Sequence, residues 1–178
     1  MPTIKVMISE EDLMKKIKML GKEISRDYEG EELHIICVLK GGAYFAIELS
    51  KHITVPVSID FMSVSSYGDG TVSNGNVKIV KDLDDSVKDK NVLIVEDIID
   101  TGRTLKYLKQ LINDRGAKSL ALCTLLDKPD RRIIETQIDY LGFQIPDEFV
   151  VGFGLDVGQK YRNLSYIGVV EMEEEVVE

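Results

Sequence analysis

The sequence predicts an α/β fold with a central parallel sheet flanked by helices. Strand-like and helix-like segments alternate along the 178 residues, a length typical of a single domain covering residues 1–178. The strand-like segments 33–39, 91–96 and 118–126 are apolar along almost their whole length. Such strands are typical of a parallel sheet that is covered on both faces. Because 44% of the residues are hydrophobic, the chain can bury a substantial core.

The first helix is predicted to begin at Ser9 and to end before Gly30. Ser9 precedes Asp12 by three residues, which is a capping-box pattern. Glycine is a common residue just beyond the end of a helix. Four apolar residues between these signals recur on one helical face: Leu13, Ile17, Leu20 and Ile24.

The remaining elements continue the alternation. A short helix within 43–52 follows the first buried strand, and two strands, 55–64 and 77–81, lie on either side of a glycine-rich loop. A helix from Thr104 to Asp114 separates the two later buried strands. Shorter strands are expected near IDYLGF (138–143), FVVGFG (149–154) and YIGVV (166–170).

The charge and the composition exclude several classes of protein. The net charge of −9 argues against a general nucleic-acid binder, which would carry a basic surface. No apolar run of 18 residues occurs, and the first residues lack the apolar core of a signal peptide, so we expect a cytoplasmic protein that does not bind membranes. Cys37 and Cys123 lie in apolar strands and are interpreted as reduced core thiols. His34 and His52 belong to no motif and are interpreted as structural.

Polar residues that follow the predicted strands are the candidates for function. Ligands of parallel sheets bind beyond the carboxyl ends of the strands. The segments at these positions are Lys40 to Gly42, Glu96 to Thr104, Lys128, and the residues around Asp156.

The segment DTGRT (100–104) has the composition of an anion-binding loop. Thr101 and Thr104 supply hydroxyl groups, Gly102 permits close backbone approach, and the following helix presents free N–H groups. The segment lacks the GxxxxGK[ST] pattern, so an ordinary nucleotide-triphosphate loop is not supported.

Two carboxylates, Glu96 and Asp97, directly precede this loop. A carboxylate accepts hydrogen bonds strongly from a vicinal diol, but it repels phosphate unless a divalent cation stands between them. The combination therefore predicts a sugar phosphate, with its ribose hydroxyls on the acids and its phosphate on the loop. The alternative is a polar strand end followed by a helix-capping aspartate.

The segment VEDIIDTGRTL (95–105) resembles the phosphoribosyl-diphosphate signature of the type I phosphoribosyltransferases. Arg103 stands where many members have lysine, which keeps the charge. Five further segments are similar to the hypoxanthine-guanine phosphoribosyltransferases and occur in the order of that family: LKGG (39–42), SSYG (65–68), LLDKP (125–129), IPDEFVVGFGLD (145–156) and KYRNL (160–164).

This resemblance implies a fold and a reaction. The fold has a small hood built from the chain ends and a flexible lid loop at 65–76. The reaction is a Mg²⁺-dependent transfer of the phosphoribosyl group from phosphoribosyl diphosphate to N9 of a 6-oxopurine, hypoxanthine or guanine, giving the nucleotide and pyrophosphate. Its oxocarbenium-like transition state depends on positioning and charge. A homodimer or homotetramer is implied by the resemblance only.

The resemblance also assigns the residues around the ribose phosphate. Glu96 and Asp97 would hold the ribose hydroxyls directly or through Mg²⁺, and Asp100 would face N7 and handle the proton, unless it only caps the helix. The Arg103 side chain would contact the phosphate or, equally, point to solvent while its backbone N–H binds. The residues matching the 5′-phosphate site are Asp100, Thr101, Gly102, Arg103 and Thr104.

Pyrophosphate, purine and metal sites follow from the same resemblance. Lys128 would donate to O6 of the purine and so disfavour adenine; the alternative is that it lies in an exposed turn. Phe149 would stack on the base; the alternative is that it is a core residue. A cis bond is implied between Leu39 and Lys40, and Val150 would meet the base edge through its backbone. The pyrophosphate set is Lys40, Gly41, Gly42, Ser66, Tyr67 and Arg162, the purine set is Lys128, Phe149, Val150 and Asp156, and the metal set is Glu96, Asp97 and Asp156.

Three other functions are weighed against this reading. A xanthine-preferring transferase would use Lys128 equally well. A phosphoribosyl-diphosphate-sensing regulator that binds nucleic acid would need a basic face, which the charge of −9 does not favour. A purely structural domain would leave the polar strand ends unexplained, and the loop at 65–76 would then be an idle hairpin rather than a lid.

Overall fold

The chain is seen in a computed structural model that describes residues 2–66 and 77–171. Two sheets and three α-helices make up this described part of the chain. A short 3₁₀ helix spans Pro129–Arg131. The strands and helices are β1 (Thr3–Ile8), α1 (Glu10–Asp27), β2 (Leu33–Leu39), α2 (Ala43–Ser50), β3 (Val57–Ser66), β4 (Val77–Lys81), β5 (Asn91–Ile99), α3 (Arg103–Asp114), β6 (Ser119–Asp127), β7 (Tyr140–Gln144), β8 (Val150–Val151) and β9 (Ile167–Glu171).

The larger sheet has six strands in the order β4-β3-β2-β5-β6-β7. Its strands β3, β2, β5, β6 and β7 run parallel, which confirms the predicted fold class. β4 pairs antiparallel with β3 and forms one edge. The three strands that the sequence marks as apolar lie side by side in the middle, because strands covered on both faces need apolar residues at every position.

Alternate residues of the central strands enter two separate cores. Ile35, Cys37 and Val95 belong to the core that α1 and α2 cover. Ile36 and Ile94 belong to the core that α3 covers on the opposite face. The helices therefore sandwich the sheet and leave its carboxyl edge for the loops.

The helix α1 follows its sequence signals closely. The Ser9 side chain accepts a hydrogen bond of 3.1 Å from the backbone N–H of Asp12, as the capping pattern predicts. The predicted apolar face is buried. The helix ends at Asp27, and Gly30 lies in the following turn with a φ of +79°, which favours glycine.

The smaller sheet joins the two ends of the described chain in the order β1-β9-β8. Its three strands pair antiparallel, and this arrangement confirms the hood built from the chain ends. The sequence of β1 does not predict a strand, because its apolar and polar residues alternate weakly, and the structure buries only Ile8 of its six residues.

The cysteines and His34 occupy the structural positions that the sequence predicts. Cys37 and Cys123 are buried free thiols, and burial raises the pKa of Cys37 to about 12. His34 is also buried, with its Nδ1 atom 2.6 Å from Ser58 Oγ. No helix in the described ranges is both long and apolar enough to span a bilayer.

Candidate active site

The predicted polar residues lie around the carboxyl edge of the larger sheet. The LKGG turn follows β2, the loop 100–102 follows β5, and Lys128 follows β6. A fourth segment, 152–162, packs onto the LKGG turn from the smaller sheet. Its Gly154 approaches Gly41 so closely that a Cβ there would lie 2.0 Å from the Gly41 carbonyl oxygen.

The strand β5 is longer than the sequence predicts. It continues to Ile99, whereas apolarity alone ended it at residue 96. Glu96 and Asp97 therefore lie inside the strand, with Glu96 paired in register with Thr124 of β6. The backbone of the strand holds both carboxylates in place. The prediction ends the strand too early because these two acidic residues interrupt its apolar run.

The loop 100–102 leads directly into α3. Gly102 precedes the helix with a φ of +85°, and a Cβ there would lie 2.4 Å from the carbonyl oxygen of Ile134. Only glycine satisfies both conditions. The N-cap residue of α3 is Gly102, and the Thr101 hydroxyl accepts a hydrogen bond of 3.4 Å from the backbone N–H of Arg103 at the start of the helix.

A cavity of about 240 Å³ opens over this loop. Backbone N–H groups at the start of a helix favour anions, and Arg103, the first residue of α3, is half-buried. The cavity is therefore suited to a phosphate group. Its polar lining comes from Glu96, Asp100, Thr101, Gly102 and Thr104.

Glu96 and Asp97 are adjacent acids, of which Glu96 is buried and Asp97 is half-buried. Burial first, and the neighbouring charge of Asp97 second, raise the pKa of Glu96 well above its usual range. Burial also raises the pKa of Asp97, while the Ile98 N–H, which donates to Asp97 Oδ1 at 2.8 Å, and the charge of Arg162 act in the opposite direction. A nearby cation would stabilise the ionised forms of both acids.

These oxygens fit a hard divalent cation such as Mg²⁺, which prefers carboxylate ligands and usually keeps several waters. Asp156 lies apart from the pair, where Arg162 Nη2 approaches its Oδ1 at 2.9 Å. Within the described residues, no group of three or more His, Cys, Asp or Glu side chains is gathered as a metal site. The donor set therefore suits an ion that is also held by a substrate.

The LKGG turn packs tightly against Asp97. The peptide bond between Leu39 and Lys40 is cis, as the resemblance implied. A Cβ on Gly41 would lie 1.6 Å from Asp97 Oδ2, and a Cβ on Gly42 would lie 2.6 Å from the Val38 carbonyl oxygen. A side chain at Gly42 would therefore collide with backbone, whereas one at Gly41 would force the Asp97 carboxylate or the turn to move.

Two cationic side chains meet beside this turn. Gln159 Oε1 accepts hydrogen bonds from Lys40 Nζ at 3.2 Å and from Arg162 Nη2 at 3.1 Å. Arg162 Nη1 also donates to the Gly154 carbonyl oxygen at 2.7 Å. The sequence does not point to Gln159, because no spacing or charge pattern marks a glutamine in an exposed turn.

The predicted purine residues differ in exposure. Lys128 is only 9% exposed, so it does not lie in an exposed turn. Phe149 is 55% exposed and is not a core residue. Val150 is buried in β8, next to it. An exposed aromatic ring provides a surface on which a planar ligand can stack.

Two consecutive arginines, which sequence analysis also missed, bind Asp100 by different atoms. Arg131 Nε lies 2.7 Å from Asp100 Oδ1. Arg132 Nε donates to the Asp100 carbonyl oxygen at 3.2 Å, and its Nη2 pairs with the buried Asp127 carboxylate. The backbone N–H groups of residues 133 and 134 both donate to the Thr101 carbonyl oxygen at 3.0 Å. The segment 131–134 therefore supports the anion-binding loop.

Two of the predicted pyrophosphate residues, Ser66 and Tyr67, fall where the first described range ends. Ser66 is the last residue of β3, and its side chain is not described. Tyr67 and the predicted lid through residue 76 lie outside the described residues.

A larger cavity, of about 490 Å³, lies at the opposite edge of the sheet. It is lined by the amino ends of β2 and β5, and its Lys118 is paired with Glu31 at 2.9 Å. The smaller cavity is the better candidate, because it has a helix start, hydroxyl groups and acids at the carboxyl edge, where ligands of parallel sheets bind.

Comparisons with known proteins agree with this geometry. Residues 8–157 match the family profile of the phosphoribosyl transferase domain. The hypoxanthine-guanine phosphoribosyltransferase of Streptococcus thermophilus (strain CNRZ 1066) is 49% identical over 169 residues, covering 95% of this chain and 94% of that protein. The Lactococcus lactis protein of the same name is 53% identical, with 95% and 92% coverage. A crystal structure of a Bacillus anthracis hypoxanthine-guanine phosphoribosyltransferase has a TM-score of 0.91 and 52% identity, covering 95% of this chain and all of that one.

Proposed function

This chain belongs to the phosphoribosyltransferase family, in its hypoxanthine-guanine group, and we propose that it transfers the phosphoribosyl group of phosphoribosyl diphosphate to N9 of hypoxanthine or guanine. The products are the purine nucleotide and pyrophosphate, which makes the protein an enzyme of purine salvage. One observation carries the proposal: a buried carboxylate, Glu96, and a half-buried one, Asp97, adjoin an anion-binding loop at the carboxyl edge of the sheet. That pairing suits a molecule with both ribose hydroxyls and a phosphate.

The loop positions the sugar. Thr101, Gly102 and Thr104, with the first N–H groups of α3, bind the 5′-phosphate, and the Arg103 side chain or backbone adds to this site. Glu96 and Asp97 receive the ribose 2′- and 3′-hydroxyls. Fixing the ribose at both ends holds C1′ in place for attack, which is the main source of rate enhancement when little covalent chemistry is left to the protein.

The bond between C1′ and the pyrophosphate oxygen breaks while purine N9 bonds to C1′. Positive charge develops on the ribose ring, and the negative field of Glu96 and Asp97 stabilises it. Asp100 accepts the proton that the purine loses from its imidazole ring. General base assistance of this kind contributes about 10²–10⁴-fold.

The pyrophosphate leaves toward Lys40 and Arg162. Gln159 Oε1 accepts a hydrogen bond from each of these side chains and keeps them close to one another. The turn at Gly41 and Gly42, with Ser66 and Tyr67, completes this site. Glu96, Asp97 and Asp156 would hold Mg²⁺, which neutralises charge on the departing pyrophosphate when it is bound. Arg162 must release Asp156 for that residue to bind the ion.

The purine stacks on Phe149 and meets the backbone of Val150, with Asp156 at the end of the same segment. The Lys128 ammonium donates to O6. Adenine carries an amino group there, so it leaves the buried Lys128 without an acceptor, and such a mismatch is rejected by about 10⁴-fold or more. Xanthine also has an oxygen at C6, so a xanthine preference is the second candidate function.

The remaining proposals concern the lid and the setting of the enzyme. The segment 65–76 closes over the reacting centre and excludes water from a sugar cation that water would otherwise attack. The two free buried thiols suit the reducing cytoplasm, and the enzyme assembles as a homodimer or homotetramer. The net charge of −9 disfavours the alternative of a regulator that binds nucleic acid.

One experiment tests the proposed function. Pure protein is mixed with phosphoribosyl diphosphate, Mg²⁺ and one of four purines, and nucleotide formation is followed by chromatography. Hypoxanthine and guanine should give nucleotide, adenine should not, and chelation of Mg²⁺ should stop the reaction. Faster turnover of xanthine than of both other 6-oxopurines would favour the second candidate, and no nucleotide with any purine would refute both.

A further inference from the structure

Arg131 forms an ion pair with the Asp100 side chain beside the end of β6. The Arg131 Nε atom lies 2.7 Å from Asp100 Oδ1, and the two side chains are 48% and 46% exposed. The Oδ1 atom itself is buried, and the contact is ionic without a well-aligned hydrogen bond. Arg131 therefore acts on the orientation of this carboxylate through its charge.

Arg131 is also connected to Lys128. Its Nη1 atom lies 3.5 Å from Asp147 Oδ1, and Lys128 Nζ lies 3.8 Å from the same oxygen. The negative charge of Asp100, followed by that of Asp147, raises the pKa of the Arg131 guanidinium. Direct contacts with the same two carboxylates add to this effect. A chain of alternating charges thus joins two residues on the purine side of the site: Asp100, Arg131, Asp147 and Lys128.

We propose that Arg131 is a positioning residue for the transfer reaction, which orients the Asp100 carboxylate and, through Asp147, the Lys128 ammonium toward the purine. The inference rests on the proposed function, because it takes Asp100 and Lys128 as the residues that contact the base. Nothing in the sequence motif of the anion-binding loop points to this arginine, which lies 31 positions after Asp100 along the chain.

The physical basis is the freedom of an aspartate side chain. The terminal torsion of aspartate is broad, so a carboxylate beside solvent samples many orientations. Arg131 engages Oδ1 and thereby fixes the direction of Oδ2, the oxygen that can meet a purine nitrogen. Groups that are oriented before the reaction cost little reorganisation when charge moves in the transition state. Arg131 also separates the like charges of Asp100 and Asp147.

Arg131 and Arg132 can be distinguished because they hold different parts of Asp100. Arg132 binds the main-chain carbonyl and the buried Asp127. Removal of the Arg131 side chain leaves these contacts and the bonds to Thr101 in place. The phosphate-binding backbone should therefore persist, and the loss should fall on the purine step.

The experiment compares R131A and R131K with the control R115A. Arg115 pairs with Asp82 at 2.7 Å, and these side chains are 32% and 48% exposed, but the pair lies where α3 ends, away from the carboxyl edge. Initial rates are measured with hypoxanthine and with phosphoribosyl diphosphate varied in turn, and thermal unfolding is recorded for each variant. The same change is thus made to two ion pairs of similar exposure.

R131A should lower kcat/KM for hypoxanthine by about two- to fivefold, the range for an ion pair of this exposure. The KM for phosphoribosyl diphosphate should stay within about twofold of wild type. R131K should recover more than half of the loss because it restores a cation. R115A should keep wild-type kinetics even if its unfolding temperature falls as much as that of R131A.

Three results would overturn the proposal. R131A could match R115A in kinetics, it could act faster than wild type, or it could raise the KM for phosphoribosyl diphosphate as much as it lowers purine turnover. In each case an active wild type leaves the proposed function intact. A wild-type protein that forms no nucleotide from any purine would refute the proposed function, and the role of Arg131 with it.

Discussion

Gly41 leaves the space that the Asp97 carboxylate occupies: a Cβ on Gly41 would lie 1.6 Å from Asp97 Oδ2. The turn after β2 and the strand β5 are thereby locked together at the acid pair. On its other side, the Gly41 carbonyl oxygen receives Gly154 in close contact. Gly41 thus allows the turn after β2 to pack closely against Asp97 on one side and against the segment that carries Asp156 on the other.

The substitution G41A should displace Asp97. Because the added methyl group overlaps a carboxylate oxygen, the side chain must rotate or the turn must shift, and overpacking of this kind costs about 1–3 kcal/mol. We expect turnover to fall by more than about tenfold, since an error of 1 Å in position can cost about 10²-fold. Steady-state rates and thermal unfolding would measure both effects.

The control is G30A, which makes the same chemical change in open space. Gly30 has a φ of +79° and no neighbour within 4 Å of its Cβ position, so alanine there should cost some stability through backbone strain and leave turnover unchanged. Equal turnover of G41A and wild type would show that the position of Asp97 is not critical.

The substitution D100N tests the proposed proton transfer. Asparagine keeps the shape of aspartate but cannot take up a proton at pH 7. The kcat should fall by about 10²–10⁴-fold, whereas calorimetric affinity for phosphoribosyl diphosphate should change little, because the loop binds phosphate through backbone and hydroxyl groups. Unchanged turnover would remove this role from Asp100.

The substitution K128M tests selectivity at O6. Methionine fills a similar volume but offers no donor to a purine oxygen. We expect kcat/KM for hypoxanthine to fall by about 10²-fold or more, while the much smaller rate with adenine changes little or rises. The ratio of the two values is the measurement. If the ratio stays at its wild-type value, another group reads the 6-position.

Arg132 and Asp127 form the most enclosed ion pair around the site, with side chains 10% and 5% exposed. The substitution R132M leaves the Asp127 carboxylate buried without its partner, which costs about 3–5 kcal/mol in comparable pairs. Urea unfolding should show this loss, and turnover should fall as well, because Arg132 also holds the Asp100 carbonyl oxygen.

A control and a double variant complete this test. Arg26 and Asp27 form a pair whose side chains are 72% and 40% exposed, so R26M should cost less than about 1 kcal/mol. The double variant R132M/D127L should regain part of the lost stability but not the activity. A loss for R132M no larger than that for R26M would contradict the role of the buried pair.

The sequence predicts the parts of this site whose functional groups are close together along the chain. The loop 100–104 and the acids before it carry hydroxyls, a glycine and carboxylates in adjacent positions, and the apolar strands on either side place them at one sheet edge. The helix α1 is equally clear, because its cap and its apolar face use local signals.

Arg131, Arg132 and Gln159 could not be found in this way. Each contacts a residue that is distant in sequence, so its role depends on how β6 and the smaller sheet are placed in the fold. Arginines and glutamines in exposed turns are also common without any function. The strand β1 was missed for a related reason: its pairing with β9 joins the two ends of the described chain, and its own sequence carries little alternation.

The acid pair should also make stability depend on pH. Burial and the charge of Asp97 raise the pKa of Glu96 well above its ordinary value of 4.5, so the folded protein holds this proton more tightly than the unfolded chain does. At pH values well below 4.5 both states are protonated and Glu96 has no effect. As the pH rises through the ordinary value toward the raised one, ionisation costs folding free energy, and the free energy of unfolding should fall.

The substitution E96Q removes this cost, and E48Q provides a control of opposite sign. At pH 7.5, E96Q should raise the free energy of unfolding and flatten its fall with pH. Lys51 lowers the pKa of Glu48, with a smaller contribution from His52, so E48Q should slightly reduce stability at the same pH. Urea unfolding between pH 4 and pH 8 measures both.

Since a divalent cation favours ionised carboxylates, Mg²⁺ should stabilise the wild type more at pH 8 than at pH 5 and should stabilise E96Q less. A wild-type stability that rises steadily from pH 4.5 to pH 8 would show that the two acids do not form a strained pair.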